Sequence, residues 1–333
     1  MPAHVERTMT PRRTSGARRF GCGVLALLLV AAVVFALVWF GVGPIPDREG
    51  CTATAAGRTV EVDPEQADNA AVIAGLAVRR GLPARAASIA LATAYQESDI
   101  RNLDYGDRDS VGLFQQRPSQ GWGTAKQAQN RYHATRRFYA ALEKVHGYED
   151  MEVTDAAQEV QRSAYGGAYA DHEADARVLA STLTGYSPAG FTCVVRHETM
   201  AAQKERRNGL TKRANAVRRD LRRTFGQLPL GGFAPGGVTS GHIPGSAHYD
   251  GRAIDVFFRP VRPANRRHGW AVAHYLVARA PALGIDTVIY DDRIWTSGLR
   301  SEAGWREYDE PSGPNQQVLE HRDHVHVDVV EGG

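Results

Sequence analysis

Two short runs near the C-terminus combine imidazole and carboxylate side chains at spacings that suit a metal site. They are residues 246–255, Ser-Ala-His-Tyr-Asp-Gly-Arg-Ala-Ile-Asp, and residues 321–328, His-Arg-Asp-His-Val-His-Val-Asp. The second run alternates strictly, so in a β-strand His324, His326 and Asp328 would share one face while the valines take the other. Such a strand buries valine and presents histidine to a site.

Two imidazoles with one carboxylate are typical of a catalytic zinc site. His248 lies in a glycine-containing loop, Asp255 in the predicted strand after it, and His326 in the alternating run. These side chains supply two nitrogen ligands and one oxygen ligand, which leaves the fourth tetrahedral position open to water or substrate. The sequence therefore predicts Zn2+ as cofactor and peptide hydrolysis as the chemistry.

Hydrolysis also needs a group that takes a proton from the attacking water and delivers it to the leaving amine. Asp323 is the candidate for this base. It is three residues from His326, an odd separation that turns it away in a regular strand, so the role requires the strand to begin after Asp323. His324 shares the face of His326 and is expected to donate to the oxyanion rather than bind metal.

A second candidate acid lies far upstream, at the end of a predicted helix. Residues 84–95 are apolar on nearly every side, which predicts a central helix buried all round. Glu97 follows at its exit, where poor solvation raises a carboxyl pKa toward the range of a general acid. Cleavage of a glycosidic bond requires such a proton donor. The alternative is a helix-end glutamate that points to water.

The region around Glu97, residues 44–193, is predicted to be all-helical. Asp63 and the proline after it open the first helix, and Gly81 closes it. Cys51 and Cys193 bracket the region and predict a disulfide in an oxidising environment, the alternative being two buried thiols. No strand is predicted between them.

The C-terminal region, residues 229–333, is predicted to be a small α+β domain with an antiparallel sheet and one covering helix. Strands are expected at 253–258 and 287–290, with a helix at 270–279 between them. The basic stretch 194–228 is interpreted as a helical linker. The predicted fold class of the whole chain is therefore α+β.

An uncharged apolar segment at residues 20–43 is long enough to cross a bilayer as one helix. Arginines precede it and acidic residues follow, so the basic tail 1–19 is expected in the cytoplasm and the rest outside. The prediction is an uncleaved single-pass anchor in the cell membrane, with a cleaved signal peptide as the alternative. The formal charge of +3 is small and no aromatics interleave the basic runs, which argues against a nucleic-acid partner.

Residues 246–255 match the pattern Ser-x-His-x-x-Gly-x-Ala-x-Asp at each fixed position. With the C-terminal run, this pattern resembles the zinc peptidases of the lysostaphin, D-Ala-D-Ala peptidase and hedgehog superfamily, over about residues 229–331. The resemblance implies the same three zinc ligands and the same acidic base. It also implies a peptidoglycan stem peptide as the substrate.

One element departs from that family. Its members often hold a substrate carboxylate with the arginine of a Ser-Gly-Tyr-Arg element upstream of the motif, whereas this chain reads Ser240-Gly241-His242. Arg252, inside the motif, is interpreted as the substrate-binding substitute, with Arg293 and Arg300 as alternatives. The departure favours an endopeptidase over a carboxypeptidase.

The Glu-Ser pair at Glu97, followed by Gly-Leu-Phe-Gln at residues 112–115, resembles the motifs of lysozyme-like lytic transglycosylases over about residues 64–186. The resemblance implies Glu97 as catalytic acid, with Gln115 and the Gly112 backbone lining a sugar groove. The third motif, at residues 163–169, lacks the family's usual asparagine. We therefore expect a peptidoglycan hydrolase with a zinc peptidase domain and a second domain that cleaves or binds glycan; the alternative is a non-catalytic wall-binding or regulatory protein.

Overall fold

The computed structural model describes residues 32–33, 49–161, 166–309 and 313–333. From residue 49 onward, the described residues belong to one compact unit, Arg48–Gly333. This unit mixes helices with two antiparallel sheets. The predicted α+β class is therefore confirmed for it.

The prediction of a single-pass membrane anchor is corrected. Within the described ranges, no helix has both the length and the apolar character needed to cross a membrane. Of the predicted span 20–43, only residues 32–33 are described, and the remainder lies outside the described residues, as does the tail 1–19. The predicted location at the cell membrane depended on that span and is therefore not supported.

A small sheet corrects the all-helical prediction for the region around Glu97. Its strands are β1 (Gly50–Ala55), β2 (Arg58–Val62) and β3 (Phe191–Val194), in the order β2-β1-β3. Strands β1 and β2 form a local hairpin whose alternating burial the sequence does carry, whereas β3 reaches β1 through a distant pairing that local periodicity does not reveal. Cys51 and Cys193 are directly opposite in the β1–β3 register and form a disulfide across 142 residues of sequence, as predicted.

Helices and the loops between them make up the rest of this region. They are α1 (Pro64–Arg80), α2 (Ala84–Ser98), α3 (Ala125–Ala128), α4 (Arg131–Leu142), α5 (Val153–Gln161) and α6 (Glu173–Leu183). Asp63 caps α1 through the amides of its first turn, and Gly81 ends it in a left-handed conformation. Helix α2 packs against α1, α4, α5 and α6, as its apolar surface predicts. This packing places Glu97 in the last turn of a buried helix.

The larger sheet carries the C-terminal region. Its strands are β4 (Leu230–Gly231), β5 (Ala253–Phe257), β6 (Ile285–Tyr290), β7 (Arg293–Thr296), β8 (Arg306–Glu307) and β9 (His324–Val329), in the order β4-β5-β9-β6-β7-β8. The α-helices of this region are α7 (Lys212–Phe225), α8 (Pro263–Ala278), α9 (Ala280–Leu283) and α10 (Gln316–Leu319). The covering helix is α8, which contacts β6 and β9. Strand β9 is central in the sheet and buried throughout.

Helix α7, from the stretch interpreted as a linker, joins the two regions in one core. It packs against α1 on one side and contacts β5 and β9 on the other. Its Asp220 accepts hydrogen bonds from the hydroxyl groups of Tyr132 (3.0 Å) and Tyr275 (2.6 Å) and from the Arg279 guanidinium (3.3 Å). Arg279 also pairs with Asp68 of α1. This carboxylate, 11% exposed, thus ties helices of both regions together.

Replacing Asp220 by alanine is expected to lower the free energy of unfolding by about 3 kcal/mol, because it leaves a buried arginine and two buried hydroxyls short of an acceptor. Urea unfolding followed by circular dichroism would measure the change. Glu307→Ala, which removes an exposed partner of Arg293, is the control and should change stability by less than about 1 kcal/mol. Equal unfolding midpoints for both variants would contradict the prediction.

Candidate metal centre

The three predicted zinc ligands converge in the larger sheet. Asp255 of β5 and His326 of β9 are directly opposite in the antiparallel register, so their side chains leave the same face. His248 lies in the tight turns that lead into β5, where the Gly251 amide bonds to the His248 carbonyl. All three side chains are buried.

The ligand atoms form a nearly equilateral triangle. His248 Nε2 lies 3.2 Å from Asp255 Oδ1 and 3.1 Å from His326 Nδ1. The third side of the triangle, from His326 Nδ1 to Asp255 Oδ1, is 3.2 Å. Ligand atoms about 2.0–2.1 Å from a tetrahedral zinc lie about 3.3 Å from one another. The size of the triangle and its two-nitrogen, one-oxygen composition therefore fit Zn2+.

Hydrogen bonds on the far side of each imidazole fix which nitrogen faces the triangle. His248 Nδ1 donates to the Gly232 carbonyl at 2.7 Å, and His326 Nε2 lies 3.3 Å from Asp328 Oδ2. A carbonyl or carboxylate oxygen can only accept, so one hydrogen is held there and the opposite nitrogen is the one that faces the triangle and can bind a metal once it is unprotonated. Metal-binding histidines usually have this second partner.

The charge of Asp255 is stabilised by the same cluster. Burial raises the pKa of its carboxyl, but hydrogen bonds and charge from His248 and His326 outweigh burial and leave the pKa below its usual range. The carboxylate is therefore ionised, as a metal ligand must be.

Asp323 lies before the start of β9, which is the condition that its proposed role as base requires. Strand β9 begins at His324, so Asp323 lies in the irregular lead-in. Its carboxylate accepts from His324 Nδ1 at 2.7 Å and from Arg259 Nε at 2.6 Å. Burial raises its pKa, but these two partners lower it overall. The bond to Nδ1 leaves His324 Nε2 on the side of Asp255 Oδ1, 3.9 Å away.

His242 is a further histidine beside the triangle. Its ring stacks on that of His248 with 3.8 Å between centroids, and His242, His248 and Asp255 each offer a ligand atom within 4.8 Å of the others. His326 makes the tighter set, because its Nδ1 is 3.1–3.2 Å from both partner atoms. His326 is therefore the better candidate for the third ligand, and His242 lies beside it.

A cleft of about 720 Å³ opens onto these candidate ligands. Arg252 lines it, but its guanidinium donates to the Val329 carbonyl (3.1 Å) and to Asp250 (3.2 Å). Arg293 pairs instead with Glu307. The Arg252 guanidinium is therefore already hydrogen-bonded within the protein, which its position in the sequence does not reveal.

Three neighbours of the ligands were not predicted. Asp328 shares the face of His326, so the alternation that identified the histidines also contained the signal for it. Arg259 follows β5 with no motif to mark it. Gly232 lies in a glycine-rich stretch that indicates only a loop.

Replacing Gly232 by alanine is expected to weaken zinc binding by about 10- to 100-fold. The added methyl group would push the His248 ring away from the Gly232 carbonyl, and the loss of such a supporting hydrogen bond usually has an effect of this size. A Cβ here would lie 2.2 Å from His248 Cε1 and 2.9 Å from Asp255 Oδ2, and the φ of +77° also disfavours a side chain. Competition with a chromophoric chelator would measure the affinity. Gly236→Ala is the control, because it shares the positive φ but has open space around it. Equal affinities in the two variants would exclude this role for Gly232.

Glu97 lies in a separate environment, and it does not line this cleft. The Tyr169 hydroxyl donates to Glu97 Oε1 at 2.8 Å. Burial raises the pKa of the Glu97 carboxyl, and bonds from Tyr169 and Gln161 offset this only in part. Glu97 is therefore partly buried and hydrogen-bonded, unlike the fully solvated helix-end glutamate of the alternative interpretation.

The two upstream motifs are joined by a buried hydrogen bond. Ser98 Oγ donates to the Leu113 carbonyl at 2.7 Å, which ties the end of α2 to the Gly-Leu-Phe-Gln loop. Gly112 has a φ of +81°, and a Cβ there would lie 2.4 Å from the Ala128 carbonyl oxygen. The Gln115 amide donates to the carbonyls of Tyr105 and Gly112, both at 3.2 Å. Of the third motif, residues 163–165 lie outside the described residues.

Comparison with known protein families gives a match to part of the chain. A family model described as VldE, C-terminal domain, matches residues 206–319, about a third of the chain. The matched segment contains His248 and Asp255 and ends before β9, and it begins within the stretch interpreted as a linker. No curated protein matches the chain.

Proposed function

We propose that this protein is a zinc-dependent peptidase that cleaves peptidoglycan stem peptides. The observation that carries the proposal is the triangle of His248 Nε2, Asp255 Oδ1 and His326 Nδ1, each 3.1–3.2 Å from the next. Zinc held there would act as a Lewis acid on a peptide carbonyl and on water. The family resemblance of residues 246–255 favours a wall peptide over other amides.

The Asp323–His324 pair is the proposed proton carrier. Asp323 holds the hydrogen on His324 Nδ1, so Nε2 is the nitrogen able to accept a proton from water on the side of the metal ligands. The same nitrogen, once protonated, can donate to the oxyanion or to the leaving amine. Asp323 supports this exchange by stabilising the imidazolium.

Digestion of purified peptidoglycan, followed by mass spectrometry of the fragments, tests the peptidase. We expect new stem-peptide ends, their loss on chelation and their return when zinc is added. Asp323→Ala should reduce cleavage without releasing the metal. Tight binding to peptidoglycan with no cleavage under any metal condition would support a non-catalytic wall-binding protein instead.

A second activity is proposed for the helical region, where Glu97 would act as general acid on the glycan. The specific support is the burial that raises the pKa of its carboxyl, since a proton donor must remain protonated near the working pH. The Tyr169 hydroxyl holds Glu97 Oε1 in position. The product would be new sugar ends, which are separable from peptide ends by mass. Peptidoglycan is thus the proposed partner of both regions.

A further inference from the structure

Arg259 is a cationic side chain at the edge of the metal cleft. It comes two residues after the end of β5 and lines the same cleft as the metal ligands. In the β5–β9 register, Asp255 is opposite His326 and Phe257 is opposite His324. Arg259 therefore lies beyond the His324 end of the metal ligands.

Two contacts hold the guanidinium in place. Arg259 Nε donates to Asp323 Oδ2 at 2.6 Å, and the guanidinium carbon lies 4.2 Å from the centre of the Phe257 ring. These contacts use Nε and one face of the guanidinium. Among the described residues, neither Nη nitrogen has a hydrogen-bond acceptor. The Arg259 side chain is 54% exposed, so its remaining N–H groups are accessible from the cleft.

Arg252, the other arginine that lines the cleft, does not offer accessible N–H groups in this way. The Arg252 side chain is only 15% exposed, and its guanidinium is bonded to a backbone carbonyl and to Asp250. Carboxylates are instead plentiful in the cleft, whose lining includes Asp255, Asp286 and Asp328. A negatively charged group on a ligand would be repelled by these acids and attracted to Arg259.

We propose that Arg259 binds a carboxylate of the substrate, on the His324 side of the metal ligands. This deepens the proposed function and rests on it. A planar guanidinium with two open Nη groups matches a carboxylate in a bidentate pair. The substrate class is then a peptide with a free carboxylate close to the bond that is cut. That carboxylate is either a C-terminus or an acidic side chain.

Calorimetric titration of zinc-loaded protein with two pairs of peptides tests the proposal without requiring turnover. The first pair is acetyl-Lys-D-Ala-D-Ala as free acid and as C-terminal amide. The second is acetyl-L-Ala-D-Glu-amide and acetyl-L-Ala-D-Gln-amide. We expect the carboxylate member of at least one pair to bind about 10- to 100-fold more tightly, and the pair that shows this preference identifies the source of the carboxylate.

The preference should disappear in Arg259→Gln and survive in Arg262→Gln, an exposed arginine outside the cleft. It should also survive in Asp323→Asn, because Arg259 then remains; loss of the preference in that variant would mean that Arg259 acts only through Asp323. No preference in the wild type, or a preference kept in Arg259→Gln, would overturn the proposal.

Peptidoglycan digestion run in parallel separates this proposal from the proposed function. A carboxylate preference without cleavage would leave Arg259 as a binding residue and refute the peptidase. Cleavage without any carboxylate preference would support the peptidase and refute the role of Arg259.

Discussion

Replacing His326 by alanine is expected to lower the zinc affinity of this protein by more than about 100-fold. Loss of a residue that only supports a metal ligand already lowers affinity by about 10- to 100-fold, and loss of a ligand itself should lower it further. The change removes the one ligand atom, Nδ1, that lies 3.1–3.2 Å from both His248 and Asp255. Peptide cleavage should fall with the metal content. The affinity is measured by competition with a chelator, and the bound zinc by elemental analysis.

The control is His146→Ala, an exposed histidine in the helical region, which should bind zinc as the wild type does. His242→Ala separates the two possible ligand sets. If that variant lost zinc while His326→Ala kept it, the site would be the looser group of His242, His248 and Asp255, and our assignment of His326 would be wrong.

Zinc affinity is also expected to rise with pH up to about 9. Burial lowers the pKa of His326, but hydrogen bonds and charge from Asp255 and Asp328 outweigh burial and raise the pKa to about 9 in the metal-free protein. Zinc binds only the neutral imidazole, so at lower pH it must displace a proton. Calorimetry in buffers of different ionisation enthalpy would count the released protons. A constant affinity between pH 6 and 9 would contradict this pKa.

Replacing Glu97 by glutamine is expected to reduce glycan cleavage by about 10²- to 10⁴-fold, because glutamine cannot donate a proton to the leaving oxygen. The protein should stay folded, since the amide fits the same space and can still accept from Tyr169. Release of new sugar ends from peptidoglycan, counted by mass spectrometry, is the measurement. Glu149→Gln, at an exposed position of the same region, should have no effect.

The pH profile provides a second readout for Glu97. Because burial raises its pKa, the carboxyl stays protonated to higher pH than a solvated glutamate, and cleavage should fall as pH rises through that pKa. Tyr169 donates to the carboxylate and lowers the pKa, so Tyr169→Phe should move the falling limb to higher pH. A limb that stayed in place, or a fully active Glu97→Gln variant, would mean that Glu97 is not the acid.

The sequence by itself identified the candidate metal-binding side chains and most of the helices and strands. His324, His326 and Asp328 follow a period of two, and that period fixes which side chains share a face of β9 because successive residues of a strand point to opposite faces. Helices α1 and α2 were equally predictable, since capping and apolar periodicity are local properties of the chain.

Only the tertiary structure decided what depends on contacts between distant residues. The pairing of β3 with β1 escaped prediction because the two strands lie far apart in the sequence, whereas β1 and β2 form a local hairpin whose alternation the sequence does carry. Arg252 and Arg259 differ in role because one guanidinium meets a backbone carbonyl and the other faces the cleft. Gly232 supports His248 through its carbonyl, which no side chain encodes. Residue type and spacing thus set which groups can bind a metal, whereas long-range packing sets which of them meet and at what distance.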